Sequence, residues 1–182
     1  MKIVGIAGSL RRASFNRGLL VAAQAVAPDG VTVEIADLSP IPFYNADVEL
    51  EGVPDTVVAL REQIGAADAL LLAVPEYNHS FTAVLKNALD WASRPRPTSA
   101  LHQKPVALMG AGGGSGTMRA QLAIRQVLAV NEAYVMPKPE LYIMNAPQRV
   151  DADGTLTDEA IRQSVRDIVA ALVVWTRRLR SD

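Results

Sequence analysis

The chain has no cysteine and only two histidines among its 182 residues. A chain without thiols forms no disulfide, no thiolate metal site and no cysteine nucleophile, and two histidines nearly exclude a multi-histidine metal site. Lysine plus arginine number 18 against 19 for aspartate plus glutamate, which gives a formal net charge of −1. Because a near-neutral chain has no global field that collects polyanions, we expect neither nucleic acid nor a membrane surface as a partner.

Long apolar runs are also absent. No run approaches the ~20 residues that a membrane-spanning helix needs, and the first residues lack the apolar core and cleavage site of a signal peptide. Hydrophobic residues make up 49% of the chain and charged residues 20%, a composition typical of globular proteins rather than of disordered chains or coiled coils. The sequence therefore predicts a single cytoplasmic domain over residues 1–182.

Apolar runs typical of buried strands alternate with apolar positions at helical spacing. The predicted strands cover residues 3–7, 31–35, 67–74, 105–109 and 133–136. Helical spacing follows at 19–27, from 54 onward, at 84–89, at 122–128 and at 161–179, whereas residues 38–54 hold three prolines and predict a long loop. Parallel strands need crossover connections, so this alternation predicts an α/β fold with a parallel sheet between two helical layers.

Ligands of open parallel sheets bind beyond the carboxyl ends of the strands, so the loops at those ends are candidate sites. The loop over residues 8–16 enters a helix, whose free N–H groups and dipole favour a phosphate. It also carries neutral and cationic donors: Ser9, Ser14, Asn16, Arg11 and Arg12. The alternative is that Ser14 or Asn16 only caps the helix. The G-x-G-x-x-G and P-loop patterns are both absent, which leaves a monophosphate such as that of FMN.

The loop over residues 75–81 places a proline, a carboxylate, an aromatic ring and an amide after the most apolar strand. A flat heteroaromatic ligand needs an apolar wall with a few polar atoms at its rim, which Tyr77 and nearby main-chain N–H groups supply. An ordinary turn with Tyr77 as surface cover is the alternative. Glu76 is a candidate acid or base or a solvated residue at a helix start, and His79 either contacts substrate or caps the helix.

The loop over residues 110–117 consists mostly of glycine. Glycine allows the main chain to approach a ligand closely, and a mobile connecting loop is the alternative. Around Ser115, Thr117 stands where the G-x-S-x-G motif of a nucleophile elbow requires glycine. The loop by itself therefore does not indicate a hydrolase.

Three strings of residues resemble the NADPH-dependent FMN reductase family, which includes quinone, chromate and azo-dye reductases. The strings are Gly8-Ser9-Leu10-Arg11-x-x-Ser14-x-Asn16, Pro75-Glu76-Tyr77-Asn78-x-Ser80 and Leu85-Lys86-Asn87-Ala88-Leu89-Asp90-Trp91. The resemblance covers residues 2–136. It implies a flavodoxin-like, doubly wound sheet of five parallel strands in the order 2-1-3-4-5, non-covalent FMN, NADPH or NADH as co-substrate, and a homodimer or homotetramer.

The resemblance also implies a set of cofactor-binding residues. The predicted phosphate site holds Ser9, Leu10, Arg11, Ser14, Phe15 and Asn16, and the predicted isoalloxazine site holds Pro75, Glu76, Tyr77, Asn78, Gly112 and Gly113. Relatives usually carry Pro-Gly where this chain has Thr82-Ala83. No catalytic side chain is expected, because the flavin supplies the redox chemistry and passes electrons to quinone, azo, metal-oxyanion or free-flavin acceptors.

Two alternatives stay open at this point. One is a flavodoxin-type electron carrier, which the net charge of −1 disfavours because carriers tend to be strongly acidic. The other is a hydrolase built on Ser115 or Ser9 with His79 or His102. Apolar side chains near the predicted site, namely Trp91, Tyr134 and Met136, motivate the expectation of at least a dimer.

Overall fold

A computed structural model describes residues 1–180; residues 181 and 182, the end of the predicted domain, lie outside the described residues. The elements in chain order are β1 (Lys2–Ala7), α1 (Phe15–Ala25), β2 (Thr32–Ile35), α2 (Ala46–Glu51), α3 (Asp55–Ala66), β3 (Ala69–Ala73), β4 (Glu76–Tyr77), β5 (Ser80–Phe81), α4 (Ala83–Ala92), β6 (Pro105–Ala111), α5 (Met118–Val130), β7 (Tyr134–Val135), β8 (Leu141–Ile143), a 3-10 turn (Ala146–Gln148) and α6 (Glu159–Leu179).

The main sheet is parallel throughout, with the strand order β2-β1-β3-β6-β7 and with β8 also paired to β6. Counted in chain order, this is the predicted 2-1-3-4-5 arrangement. Side chains alternate between the two faces of each strand: on β3, Leu71 joins one apolar cluster, and Leu70 and Leu72 join the other. Helices α1 and α6 cover the first cluster, and α3, α4 and α5 cover the second, which confirms the three-layer α/β fold.

The predicted long loop over residues 38–54 contains a helix, α2. The Asn45 side chain caps its N-terminus by accepting a hydrogen bond from the Asp47 N–H at 2.9 Å, and Gly52, at φ 144°, follows its last residue. None of its six residues is buried. Apolar periodicity therefore does not predict this helix. Its two ends are set by the Asn45 cap and by Gly52.

The last predicted strand and the α5 stripe also differ from expectation. β7 pairs with the start of β6, and β8, which the sequence pattern missed, pairs with its end. Leu122 was placed on the apolar stripe of α5, but its side chain is 53% exposed, whereas the adjacent Gln121 is fully buried. The Gln121 amide donates to Thr117 Oγ1 at 3.1 Å and to the Leu141 carbonyl at 3.0 Å. These bonds allow a polar residue on the core face, which hydrophobic periodicity counts as surface.

Over residues 1–180, none of the helices combines the length and the apolar character that crossing a membrane requires.

Candidate functional site

The carboxyl ends of β1, β3 and β6 meet at one edge of the sheet, and a cleft of about 330 Å³ opens there. This volume lies in the range of small-molecule sites. All of the predicted site residues except Leu10 and Asn78 line the cleft, together with two residues that the sequence did not indicate: Ser9, Arg11, Ser14, Phe15, Asn16, Pro75, Glu76, Tyr77, Ala111, Gly112, Gly113 and Pro147.

The structure places Leu10 and Asn78 elsewhere. Leu10 lines a second cavity beside the first loop, and Asn78 lies at the tip of the β4–β5 hairpin. Asn78 and His79 have φ values of 50° and 63°, as a tight two-residue hairpin turn requires. The prediction that His79 caps the next helix is wrong, because the Thr82 side chain caps α4 by accepting from the Leu85 N–H at 3.3 Å.

The two missed residues, Ala111 and Pro147, reach the cleft through backbone pairing. Gly112 donates its N–H to the Ile143 carbonyl at 3.0 Å, and the Ala146 N–H donates to the Gly112 carbonyl at 2.9 Å. These two hydrogen bonds hold the 3-10 turn, which contains Pro147, against the glycine loop. Ala111 lies in the candidate loop over residues 110–117 but was not singled out, because it has no functional side chain. Pro147 lies beyond the recognised motifs.

The first loop presents unpaired donors at the start of α1. Ser14 is the N-cap, and its Oγ accepts a hydrogen bond from the Arg17 N–H at 3.3 Å. The N–H groups of Phe15 and Asn16 donate to no acceptor within residues 1–180, as expected for the first turn of a helix. Ser14 therefore caps the helix and keeps its hydroxyl hydrogen for a ligand, and two backbone donors at the positive end of the helix dipole remain for an anion.

Asn16 joins the first loop to the third. Its Nδ2 donates to the Ala111 carbonyl at 2.9 Å, and its Oδ1 accepts from the Ala111 N–H at 3.0 Å. The residue is buried. The Asn16 amide was predicted as a phosphate donor; Ala111 engages its Oδ1 and one Nδ2 hydrogen, and the second Nδ2 hydrogen and the backbone N–H remain for a ligand.

Arg11 supplies a cation at the same end of the cleft. Its guanidinium lies over the Phe15 ring, 4.4 Å from the centroid. Such a cation–π contact holds the side chain without neutralising its charge. Phe15, on the first turn of α1, thus fixes a positive group beside the free helix N–H groups, and this end of the cleft suits a dianion.

Glu76 joins the second loop to the third. Its carboxylate accepts hydrogen bonds from the Ser115 hydroxyl at 2.8 Å and from the N–H groups of Arg119 and Ala120 at 3.0 and 3.2 Å, and the Arg119 guanidinium lies 3.1 Å away. It thereby caps α5, whose own N-cap residue, Thr117, makes no side-chain cap bond.

The electrostatics of Glu76 exclude a role as a general acid at neutral pH. Burial raises the pKa of this carboxyl, but the hydrogen bonds from Ser115, Ala120 and Arg119 outweigh it, so the pKa lies below its ordinary value. Glu76 is therefore ionised at neutral pH. Its hydrogen bonds assign it to holding the two loops together.

Replacing Glu76 by glutamine should lower the free energy of unfolding by about 1–2 kcal/mol at pH 7, because neutral hydrogen bonds replace charge-assisted ones. A carboxyl with a depressed folded-state pKa stabilises the fold above its unfolded pKa, near 4.5, and this contribution is lost as pH falls through the folded value. The difference between the two proteins should therefore shrink below pH 4.5, as measured by urea denaturation. Glu62→Gln, at an exposed carboxylate on α3, is the matched control. A difference that stays constant down to pH 3 would contradict this assignment.

The hydrolase alternative lacks a base in contact with either serine. The Ser115 hydroxyl donates to Glu76, and Ser9 Oγ accepts from the Arg11 N–H at 3.3 Å. His102 lies with its Nδ1 3.4 Å from a Glu132 carboxylate oxygen. Within the described chain, no hydrogen bond joins either serine to either histidine. The geometry therefore does not form a Ser-His pair.

The cleft suits a flat ring that carries a phosphate. One end holds the free helix donors and Arg11, and the other holds apolar groups from Pro75, Tyr77 and Pro147. Gly113 adds main chain without a side chain, and a Cβ placed there would meet no atom within 4 Å, so open space lies beside it. A Cβ at Gly8 would lie 2.7 Å from Pro75 Cδ, which shows how closely the first two loops pack. These residues fit FMN.

Comparison with known proteins agrees with this geometry. The family model described as NADPH-dependent FMN reductase matches residues 1–148. An NAD(P)H-dependent FMN reductase of Pseudomonas aeruginosa is 48% identical over 181 residues, covering 99% of this chain and 97% of that protein. An NAD(P)H:quinone oxidoreductase of Solanum tuberosum is 42% identical over 186 residues, covering 99% and 95%.

A solved structure shows the same fold. The flavoenzyme NAD(P)H:(acceptor) oxidoreductase FerB of Paracoccus denitrificans superposes with a TM-score of 0.87 at 32% identity, over 97% of each chain. Together with the strand order and the cleft, these matches identify the family: the chain belongs to the NADPH-dependent FMN reductases.

Proposed function

We propose that this chain is an FMN-dependent NAD(P)H oxidoreductase that reduces small-molecule acceptors, including quinones, azo compounds, metal oxyanions and free flavin. The observation that carries the proposal is the cleft itself, with unpaired helix donors and Arg11 at one end and an open apolar slot at the other. The activities named for the relatives of Pseudomonas aeruginosa and Solanum tuberosum support it.

Different residues of the cleft bind different parts of FMN. FMN, when bound, would supply the hydride and electron transfer between NAD(P)H and the acceptor. Arg11 and the N–H groups of Phe15 and Asn16 hold the phosphate, and the Ser9 and Ser14 hydroxyls add donors. Pro75, Tyr77 and the main chain at residues 112–113 flank the ring and leave one side accessible to substrates. No side chain of the cleft is required to act as an acid.

An absorbance experiment tests the proposal. Purified protein incubated with FMN should be yellow after desalting, should bleach rapidly when NADPH or NADH is added without oxygen, and should recover its colour when a quinone is added. Bleaching by dithionite but not by either nucleotide would identify an electron carrier instead. A protein that retains no FMN would contradict the proposal altogether.

We also propose that the chain forms a homodimer or homotetramer. The surface through which it assembles differs from the one that the sequence suggested. Trp91 and Met136 lie in the core, with 0% and 3% exposure, so they form no interface. The cleft is instead flanked by exposed apolar side chains on the β4–β5 hairpin and on α5, which packs against it: Tyr77 at 61%, Met118 at 43% and Leu122 at 53% exposure. A patch of this kind on a soluble domain is typical of an interaction site.

Leu122→Glu should dissociate the oligomer, because it buries a charge in this apolar patch. Light scattering is expected to give a multiple of 19.5 kDa for the wild type and the single-chain mass for the variant. Val174→Glu, at a 65% exposed position on α6, is the control and should keep the wild-type mass. A wild type that stays at 19.5 kDa over a wide range of concentration would overturn the oligomer.

The cytoplasmic location and the single-domain organisation over residues 1–182 stay predictions. What supports a single domain is that both apolar clusters pack on the same sheet. Fractionation of cells that express the chain tests the location.

A further inference from the structure

The hydroxyl of Thr82, at the start of α4, reaches the first loop. Its Oγ1 donates a hydrogen bond to the Gly8 carbonyl at 2.6 Å and accepts one from the Leu85 N–H at 3.3 Å. The residue is 6% exposed, so the hydroxyl hydrogen is engaged inside the protein and not by solvent. The proposed function gives this hydroxyl no role.

Gly8 depends on this hydroxyl for the direction of its carbonyl. Over residues 1–180, the Gly8 carbonyl accepts a hydrogen bond from Thr82 alone, while the Gly8 N–H donates to the Ala73 carbonyl at 3.0 Å. Gly8 is buried, and a Cβ built on it would lie 3.0 Å from both Leu85 Cβ and Thr82 Oγ1. Because a buried carbonyl without a partner costs free energy, the carbonyl is held toward Thr82.

The direction of the Gly8 carbonyl also sets that of the Ser9 N–H. The peptide bond between the two residues is trans, and in a planar trans peptide the carbonyl and the following N–H point to opposite sides. The Ser9 N–H is therefore turned away from Thr82. It donates to no acceptor in the described part of the chain, and Ser9 lines the cleft. The first loop thus offers one more backbone donor than the two at the start of α1.

We propose that Thr82 is a positioning residue for the FMN phosphate. Its hydroxyl holds the Gly8 carbonyl and thereby keeps the Ser9 N–H available to the phosphate. This role rests on the proposed function and adds to it a residue outside the cleft on which phosphate binding depends, since Thr82 does not line the cleft. Without the hydroxyl, the peptide is free to turn. The cleft then loses a donor for the phosphate but keeps every group that faces the ring.

A pair of variants isolates the hydroxyl. Thr82→Ala and Thr82→Ser both lack the threonine methyl group, and they differ from each other only in the hydroxyl. Thr82→Ala should bind FMN about 5- to 30-fold more weakly than the wild type, because one contact to a charged group is weakened, and should bind riboflavin within about twofold. Thr82→Ser should bind both flavins within about threefold of the wild type. Fluorescence titration of cofactor-free protein measures these affinities.

Thr176→Ala is the matched control. Thr176 is also buried, and its Oγ1 donates to the Leu172 carbonyl at 2.7 Å, but it lies on α6 and away from the lining of the cleft. This variant should lose stability to urea and keep both flavin affinities. The proposed role of Thr82 is overturned if Thr82→Ala keeps the FMN affinity of the wild type, or if it loses affinity for FMN and riboflavin equally. It is also overturned if Thr82→Ser binds FMN as weakly as Thr82→Ala.

The amide NMR signal of Ser9 provides a test that needs no substitution. In isotope-labelled wild-type protein, this signal should move downfield when FMN is added and much less when riboflavin is added, because a hydrogen bond to phosphate deshields the amide proton. A Ser9 signal that responds equally to the two flavins would overturn the role of Thr82 and leave the oxidoreductase assignment standing. A wild type that binds neither flavin would refute the proposed function, and the role of Thr82 with it.

Discussion

Replacing Asn16 by leucine is expected to lower the free energy of unfolding by about 2–4 kcal/mol, because it leaves two buried backbone groups of one residue unpaired. Those groups are the N–H and the carbonyl of Ala111, which the Asn16 amide binds at 3.0 and 2.9 Å. Leucine has the branching of asparagine and a larger volume, so the loss does not come from a cavity. Urea denaturation of the FMN-free protein measures it.

Two further variants make this result specific. Gln24→Leu removes another side-chain bond from α1, the one that Gln24 Nε2 makes to the Val33 carbonyl at 2.9 Å, but at an exposed residue, so we expect a loss below about 1 kcal/mol. Asn16→Asp keeps an acceptor for the Ala111 N–H and sets a carboxylate against the Ala111 carbonyl, so it should also destabilise strongly. If Asn16→Leu unfolds at the same urea concentration as the wild type, the bridge between the two loops contributes nothing measurable.

Arg11→Ala is expected to weaken FMN binding by roughly 10- to 150-fold, because it removes a charge-assisted contact of ~1.5–3 kcal/mol to a dianion. Riboflavin has the same ring without the phosphate, so its affinity should hardly change. The difference between the two ligands therefore isolates the phosphate end from general damage to the cleft. Fluorescence titration of both flavins into cofactor-free protein provides the measurement.

The neighbouring arginine is the natural control. Arg12 does not line the FMN cleft, so Arg12→Ala should leave the FMN affinity within about twofold of the wild type. If Arg12→Ala weakens FMN binding and Arg11→Ala does not, the phosphate still lies in this loop but the residue is wrongly assigned. If neither change matters, the phosphate does not lie there.

The architecture was predictable because its signals are local. A strand buried on both faces is a short continuous apolar run, and β1 and β3 stand out in this way. The position of the first loop in the cleft was predictable for the same reason, since its polar donors and arginines are consecutive in the chain. The helix α2 was not, because an exposed element of six residues leaves no apolar stripe to detect.

The hydrogen bonds that join the loops of the cleft cannot be predicted from local sequence patterns. Glu76 was open between an acid or base and a solvated residue. It is instead hydrogen-bonded to Ser115 in the third loop and to Arg119 on α5, about forty positions away in the chain. The bridge from Asn16 to Ala111 was not predicted, since nothing nearby in the chain shows Ala111 beside Asn16. Pairings of this kind form only in the folded sheet, and a single sequence does not show them.

The bridge from Asn16 to Ala111 also determines when the cleft comes into existence. The two residues are 95 positions apart, and the bond from the Thr82 hydroxyl to the Gly8 carbonyl spans 74. Contacts so distant in the chain form late in folding, after the entropy of closing long loops has been overcome. A growing chain that ends before β6 therefore has no cleft to load. FMN therefore binds the folded protein, and its binding free energy slows unfolding and does not speed folding.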